Sequence, residues 1–124
     1  MSVPILRQGD YLIASIQSAL TDSEVVAFRD DLAEQVGKFR SRGIIVDVGA
    51  MDVIDSFVSR SLRTIALTTR LRGAETVIVG IRPDVAIAMV QFDLSLEAVQ
   101  TALDLEEAVA LLDHLIKEKD HGGG

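Results

Sequence analysis

The chain has no cysteine and no tryptophan, and it has only two prolines, one tyrosine and four phenylalanines. Without cysteine there is no disulfide framework, no thiolate metal site and no thiol nucleophile. Aromatics amount to 4% of the residues, too few for the stacking platforms of single-strand nucleic-acid binders. Positive charge is also scarce: 12 Lys and Arg stand against 19 Asp and Glu, a net charge of −7. A nucleic-acid partner requires a basic stripe that displaces counterions, so that class is excluded. No apolar run reaches the roughly 18 residues of a membrane span. The opening Met1-Ser2-Val3-Pro4 lacks the basic-then-apolar pattern of a signal peptide. The expectation is a soluble cytoplasmic protein with no membrane partner.

What is present is enough for one core. The chain has 124 residues, 48% of them apolar, which excludes wholesale disorder. Ile5-Leu6 and Tyr11 to Ile16 read as two strands joined by a Gly9-Asp10 turn. Thr21 and Glu24 have the spacing of a capping box. Val25, Phe28, Leu32, Val36 and Phe39 then form one helical stripe, which Gly43 is expected to end in a left-handed conformation. The run Ile44 to Val48 shows no alternation apart from Asp47, which suits a strand covered on both faces. A helix follows over 56–71, with Val58, Leu62, Ile65 and Thr69 on one face, and Gly73 stops it. Thr76 to Val79 is a second buried strand, which completes a right-handed parallel βαβ unit. Pro83 opens a short helix through Phe92. A weak strand signal lies at 98–101, and Leu105, Val109, Leu112 and Ile116 mark the last helix. The order predicts one α/β domain with a mixed, mostly parallel sheet of about five strands and four helices. Residues 1–119 form that domain, and 120–124 are expected to be a flexible tail.

Sites for catalysis are sparse. His114 and His121 have no carboxylate pair at metal-ligand spacing, and no Gly-rich phosphate loop or GxSxG elbow occurs. Asp47 and Asp52 flank the loop after a parallel strand, where α/β ligand sites lie, but that loop has no basic residue or histidine to complete an acid or metal site. No metal and no cofactor is expected. The remaining candidate is Ser56, at the start of the second helix. Its ordinary role is a cap or first-turn residue, with Asp55 the alternative cap. A phosphate there would meet the amides and dipole of the helix N-terminus and would be repelled by Asp52 and Asp55. Ser59, one turn on, is the reserve acceptor.

The chain resembles the STAS domain family through Val53-Ile54-Asp55-Ser56-Phe57, Gly73-Ala74, Gly80-Ile81-Arg82-Pro83-Asp84-Val85-Ala86 and Thr101-Ala102-Leu103-Asp104-Leu105-Glu106. More narrowly, it resembles the single-domain scaffold proteins of the bacterial stressosome, over residues 4–116. The resemblance implies a non-enzymatic scaffold for the general stress response. It implies Ser56 as the substrate of an RsbT-like serine kinase that the unmodified protein sequesters. Phosphorylation would release the kinase, and an RsbX-like phosphatase would reverse the modification. RsbR-like STAS paralogues would be assembly partners, with self-association, and the sheet edge near the opening hairpin is a candidate surface for it. Asp52, Val53, Ile54, Asp55 and Phe57 would form the docking surface, with Phe57 the anchor. The related anti-sigma-factor antagonists have Asp-Ser-Ser-Gly where this chain has Asp55-Ser56-Phe57-Val58. Alternatives are a free anti-sigma-factor antagonist, a STAS subunit of a transport system, a small-ligand domain, or an enzyme using Asp47 and Asp52.

Overall fold

The computed structural model describes residues 3–92 and 99–122. In chain order the elements are β1 (Ile5–Gln8), β2 (Tyr11–Ser15), α1 (Asp22–Phe39), β3 (Gly43–Asp47), α2 (Ser56–Leu71), β4 (Glu75–Val79), α3 (Pro83–Gln91), β5 (Gln100–Ala102) and α4 (Leu105–Gly122). The five strands form one sheet in the order β1-β2-β3-β4-β5. The tight turn makes β1 antiparallel to β2, and every later neighbour is parallel because a helix carries the chain back. This is the mixed α/β sheet expected from the pattern.

Alternation along β3 and β4 divides the core into two layers. Ile44, Val46 and Ile78 face one layer, where α1 contributes Phe28 and Leu32, α2 contributes Leu62 and Ile65, and α3 contributes Val85 and Met89. Ile45, Val77 and Val79 face the opposite layer, filled by Ala108 and Leu112 of α4. Each fully buried aliphatic side chain contributes roughly 1.5–3 kcal/mol.

The start of α1 follows its sequence signature. The Thr21 hydroxyl accepts from the Glu24 amide at 3.2 Å, and the Glu24 carboxylate accepts from the Thr21 amide at 3.0 Å. Its end does not. Arg40, not Gly43, adopts the left-handed conformation, at φ 51°. Gly43 instead opens β3, where a Cβ would lie 2.8 Å from Leu112 Cδ1 and 2.9 Å from Tyr11 Cδ1. The glycine is there for close packing of α4 on the sheet.

Other boundaries also move. β5 begins at Gln100, and Ala98 of the expected strand lies outside the described residues. On α4 the expected Leu112 is buried, together with Ala108, whereas Leu105 is exposed. The helix continues past Lys119 to Gly122, and Asp120 accepts from the Arg42 guanidinium at 2.6 and 3.1 Å.

Gly43→Ala should overpack the α4 layer and lower unfolding stability by about 1–3 kcal/mol. Urea titration followed by circular dichroism measures it, and an unchanged midpoint would contradict the close-packing assignment.

Candidate functional site

The site lies at the carboxyl end of the parallel strands. Asp47 closes β3 and turns its carboxylate back to accept from the Gly49 amide at 2.8 Å. Gly80 follows β4 at φ 81°. A Cβ on Gly80 would meet Asp47 Oδ1 at 2.9 Å and Gly49 Cα at 3.1 Å. The loops leaving β3 and β4 therefore press against each other at their base. α/β folds present their ligand-facing loops at this end of the sheet.

From that base the β3–α2 loop splits its apolar side chains. Met51 and Ile54 turn into the core, while Val53 stays 70% exposed. Asp55 is the N-cap of α2, in extended conformation, and its carboxylate accepts from the Val58 amide at 2.8 Å. Of the two capping alternatives, the one with Asp55 holds. Ser56 is then the first helical residue and is exposed. Among the described residues its hydroxyl has no hydrogen-bond partner, so no base is in place to make it a nucleophile. Phe57 is half-buried against the core. Ser59 is only 4% exposed, because it shares the inward face with Val58, Leu62 and Ile65.

Arg82 is the residue that local reading missed. It precedes Pro83 as the N-cap position of α3. Its Nη1 donates to Asp52 Oδ1 at 2.9 Å, its Nη2 to Asp84 Oδ2 at 2.9 Å, and its Nε to Asp84 Oδ1 at 3.3 Å. One guanidinium thus ties the β3–α2 loop to the first turn of α3. Hydrogen bonding from Arg82 is the main reason the Asp84 carboxyl is held below the usual carboxylate range, and its charge adds to the effect. The same two carboxylates raise the Arg82 pKa. The negative charge of Asp52 is therefore partly offset by a cation that the loop sequence alone does not show. The gap in the sequence reading was range: the loop has no cation of its own, and α3 supplies one.

Between the loop and α3 lies a groove of about 580 Å³, with Val53, Ile54, Val85, Ala88 and Phe92 as apolar walls and Asp52, Asp55, Ser56 and Asp84 as its polar rim. Of the expected docking residues, Asp52, Val53, Ile54 and Asp55 line it beside Ser56, although Ile54 belongs mainly to the core. Phe57 does not line it, and Phe92, 73% exposed, does. Asp47 and Asp52 have different partners: one carboxylate accepts from the Gly49 amide and the other from Arg82. Among the described residues no three His, Cys, Asp or Glu side chains could hold a metal ion. No described helix is long and apolar enough to cross a membrane.

Two outcomes test this geometry. Asp84 should titrate below ordinary aspartates in a carbon-detected NMR titration, and Arg82→Gln should bring it back to their range. Because the folded value is the lower one, the contribution of this pair is present above the ordinary range and lost as pH falls through the Asp84 midpoint. Asp55→Ala removes the α2 cap and should cost about 1 kcal/mol in a denaturation series, with Asp55→Asn retaining most of it.

Comparison with known proteins places this geometry in a family. The family description "STAS domain" matches residues 2–108. "RsbT co-antagonist protein RsbRD" of Bacillus subtilis is 29% identical over 119 residues, 95% of this chain, and the chain spans 43% of that relative's length. A serine-to-glutamate variant of RsbS from Moorella thermoacetica superposes with a TM-score of 0.80 at 34% identity, over 93% of this chain and 97% of that one. A chain from a structure described as the molecular architecture of the stressosome, a signal integration and transduction hub, matches with a TM-score of 0.73 at 32% identity, over 91% and 98%. This chain is similar to stressosome proteins in sequence and in fold, and it belongs to the STAS domain family.

Proposed function

We propose that this chain is a non-enzymatic scaffold subunit of a stressosome-type assembly, acting in the cytoplasm and switched by phosphorylation of Ser56. In the unmodified state the groove beside Ser56 holds an RsbT-like serine kinase. The observation that carries this reading is the setting of one hydroxyl. Ser56 is exposed, its hydroxyl has no hydrogen-bond partner among the described residues, and it sits on the rim of an apolar groove. It is built to receive a group rather than to attack one.

The energetics favour release. Phosphorylation adds about −1.5 to −2 charges at neutral pH. The first turn of α2 offsets part of this, by roughly 0.3–1 kcal/mol per charge at an exposed site. The N-cap carboxylate already uses the Val58 amide, which leaves fewer donors for a phosphate. Asp55 shares the rim and repels it, more than Asp84, whose charge is paired with Arg82. The fold is therefore retained while an interface fitted to a neutral hydroxyl is lost. Val53 and Phe92 supply the exposed apolar contacts, and Phe57, half-buried, packs against the core. Ser59 is the weaker acceptor because a kinase would have to unwind α2 to reach it.

The likeness to RsbS and to the RsbR-type relatives supports the remaining partners. RsbR-like STAS paralogues share the assembly, the chain associates with itself, and an RsbX-like phosphatase resets the switch in a general stress response.

Incubation with an RsbT-like kinase and ATP, followed by mass mapping, should place a single phosphate on Ser56. In a pull-down, Ser56→Ala should retain the kinase and Ser56→Asp should lose most of it, with unchanged circular dichroism for both. Equal capture by the two variants, or label at another residue, would overturn the reading.

A further inference from the structure

The charge of this chain is unevenly placed. No Asp or Glu occurs between Ser56 and Gly73, whereas Arg60, Arg63, Arg70 and Arg72 do. Arg70 pairs with Glu75, and Arg72 lies against Gly37 of α1. Arg60 and Arg63 are exposed and have no ion-pair partner among the described residues. With Thr64, Leu67 and Leu71 they form one exposed stripe along α2, opposite the face that packs on α1 and the sheet. Leu71 is 90% exposed. The stripe is thus both basic and apolar, in a protein of net charge −7.

The complementary surface lies on the other side of the sheet. Where β5 runs into α4, Leu103 is 80% exposed and Leu105 is also exposed. Asp104, Glu106 and Glu107 flank them, all exposed. The Asp104 carboxylate accepts from the Glu107 amide at 2.8 Å, which fixes the corner. α2 and α4 cover opposite layers of the core, so the two surfaces cannot meet within one molecule.

We propose that the exposed stripe of α2 docks a second copy of this chain through that copy's Leu103–Glu107 corner. Arginines face carboxylates and leucines face leucines. The local attraction opposes the long-range repulsion between two acidic molecules. Because each copy offers a different surface to its neighbour, the contact is head-to-tail and builds rings or larger closed assemblies rather than a two-fold dimer. It leaves the β1 edge free. The inference deepens the self-association part of the proposed function, and its test uses the unphosphorylated chain without a kinase, so the two can fail separately.

The test uses the purified chain alone, in sedimentation velocity over a concentration series at low and high salt. The wild type should self-associate, less so at high salt. Arg60→Glu with Arg63→Glu, and separately Glu106→Arg with Glu107→Arg, should each weaken association about tenfold or more. An equimolar mixture of the two variants should recover it, because each then offers what the other lacks. Recovery also shows that both variants are folded. A wild type that stays a single chain throughout, variants that associate like the wild type, or a mixture that recovers nothing would overturn the proposal. So would Arg60 and Arg63 variants that lose only kinase capture, since α2 would then be a kinase surface.

Discussion

Strands β3 and β4 are covered on both faces, and the rest of the architecture follows from that burial. The two strands run parallel, so the chain cannot turn back in a hairpin and must leave the sheet and return through α2. A crossover helix begins at the carboxyl end of the strand before it. That geometry brings the first turn of α2, with Asp55 and Ser56, to the same end of the sheet as the loop after β4. The exposed hydroxyl is a consequence of where a parallel pair needs its connection to start. The same crossover turns one face of α2 inward through Val58, Leu62 and Ile65, and this buries Ser59 and leaves Ser56 outside.

Electrostatics then shapes the rim. Asp52 and Asp55 look alike in the sequence but do different work. Asp55 is committed to the helix backbone, and Asp52 to a guanidinium that arrives from α3. Arg82 also holds Asp84, so the loop and α3 are joined by a charge bridge across one wall of the groove. The local field at Ser56 is accordingly set by side chains from two separate loops.

Legibility in the sequence tracked the range of each interaction. The capping box at Thr21 and Glu24, the αβ order and the buried βαβ unit were readable because their signals lie within a few residues or in a simple period. The junction at Asp55 and Ser56 was readable for the same reason, including the alternative in which Asp55 is the cap. Gly43 was misread because a glycine after a helix looks the same whether it serves a left-handed turn or a tight interlayer contact. Only the packing of Leu112 and Tyr11 against it separates the two. Arg82 went unnoticed as a partner of Asp52 because the pair is 30 positions apart, beyond any local pattern. The inward phase of Ser59 was present in the spacing of Val58, Leu62 and Ile65, but the same spacing allows a neighbouring position to fall on either side of the boundary. Phe92 as a groove wall depended on where α3 sits over the loop, which no periodicity specifies.

The close approach of Gly49, Gly80 and Asp47 has a wider consequence. Backbone meets backbone at the root of the two loops, with a carboxylate wedged between, so a side chain added there has nowhere to go. Val53 and Phe92, further out, touch little and tolerate exchange. The molecule therefore separates what must be inherited intact from what is open to revision: a fixed root and replaceable tips. A lineage built on this arrangement could trade one companion for another by altering a few outward residues, without renegotiating how the chain folds.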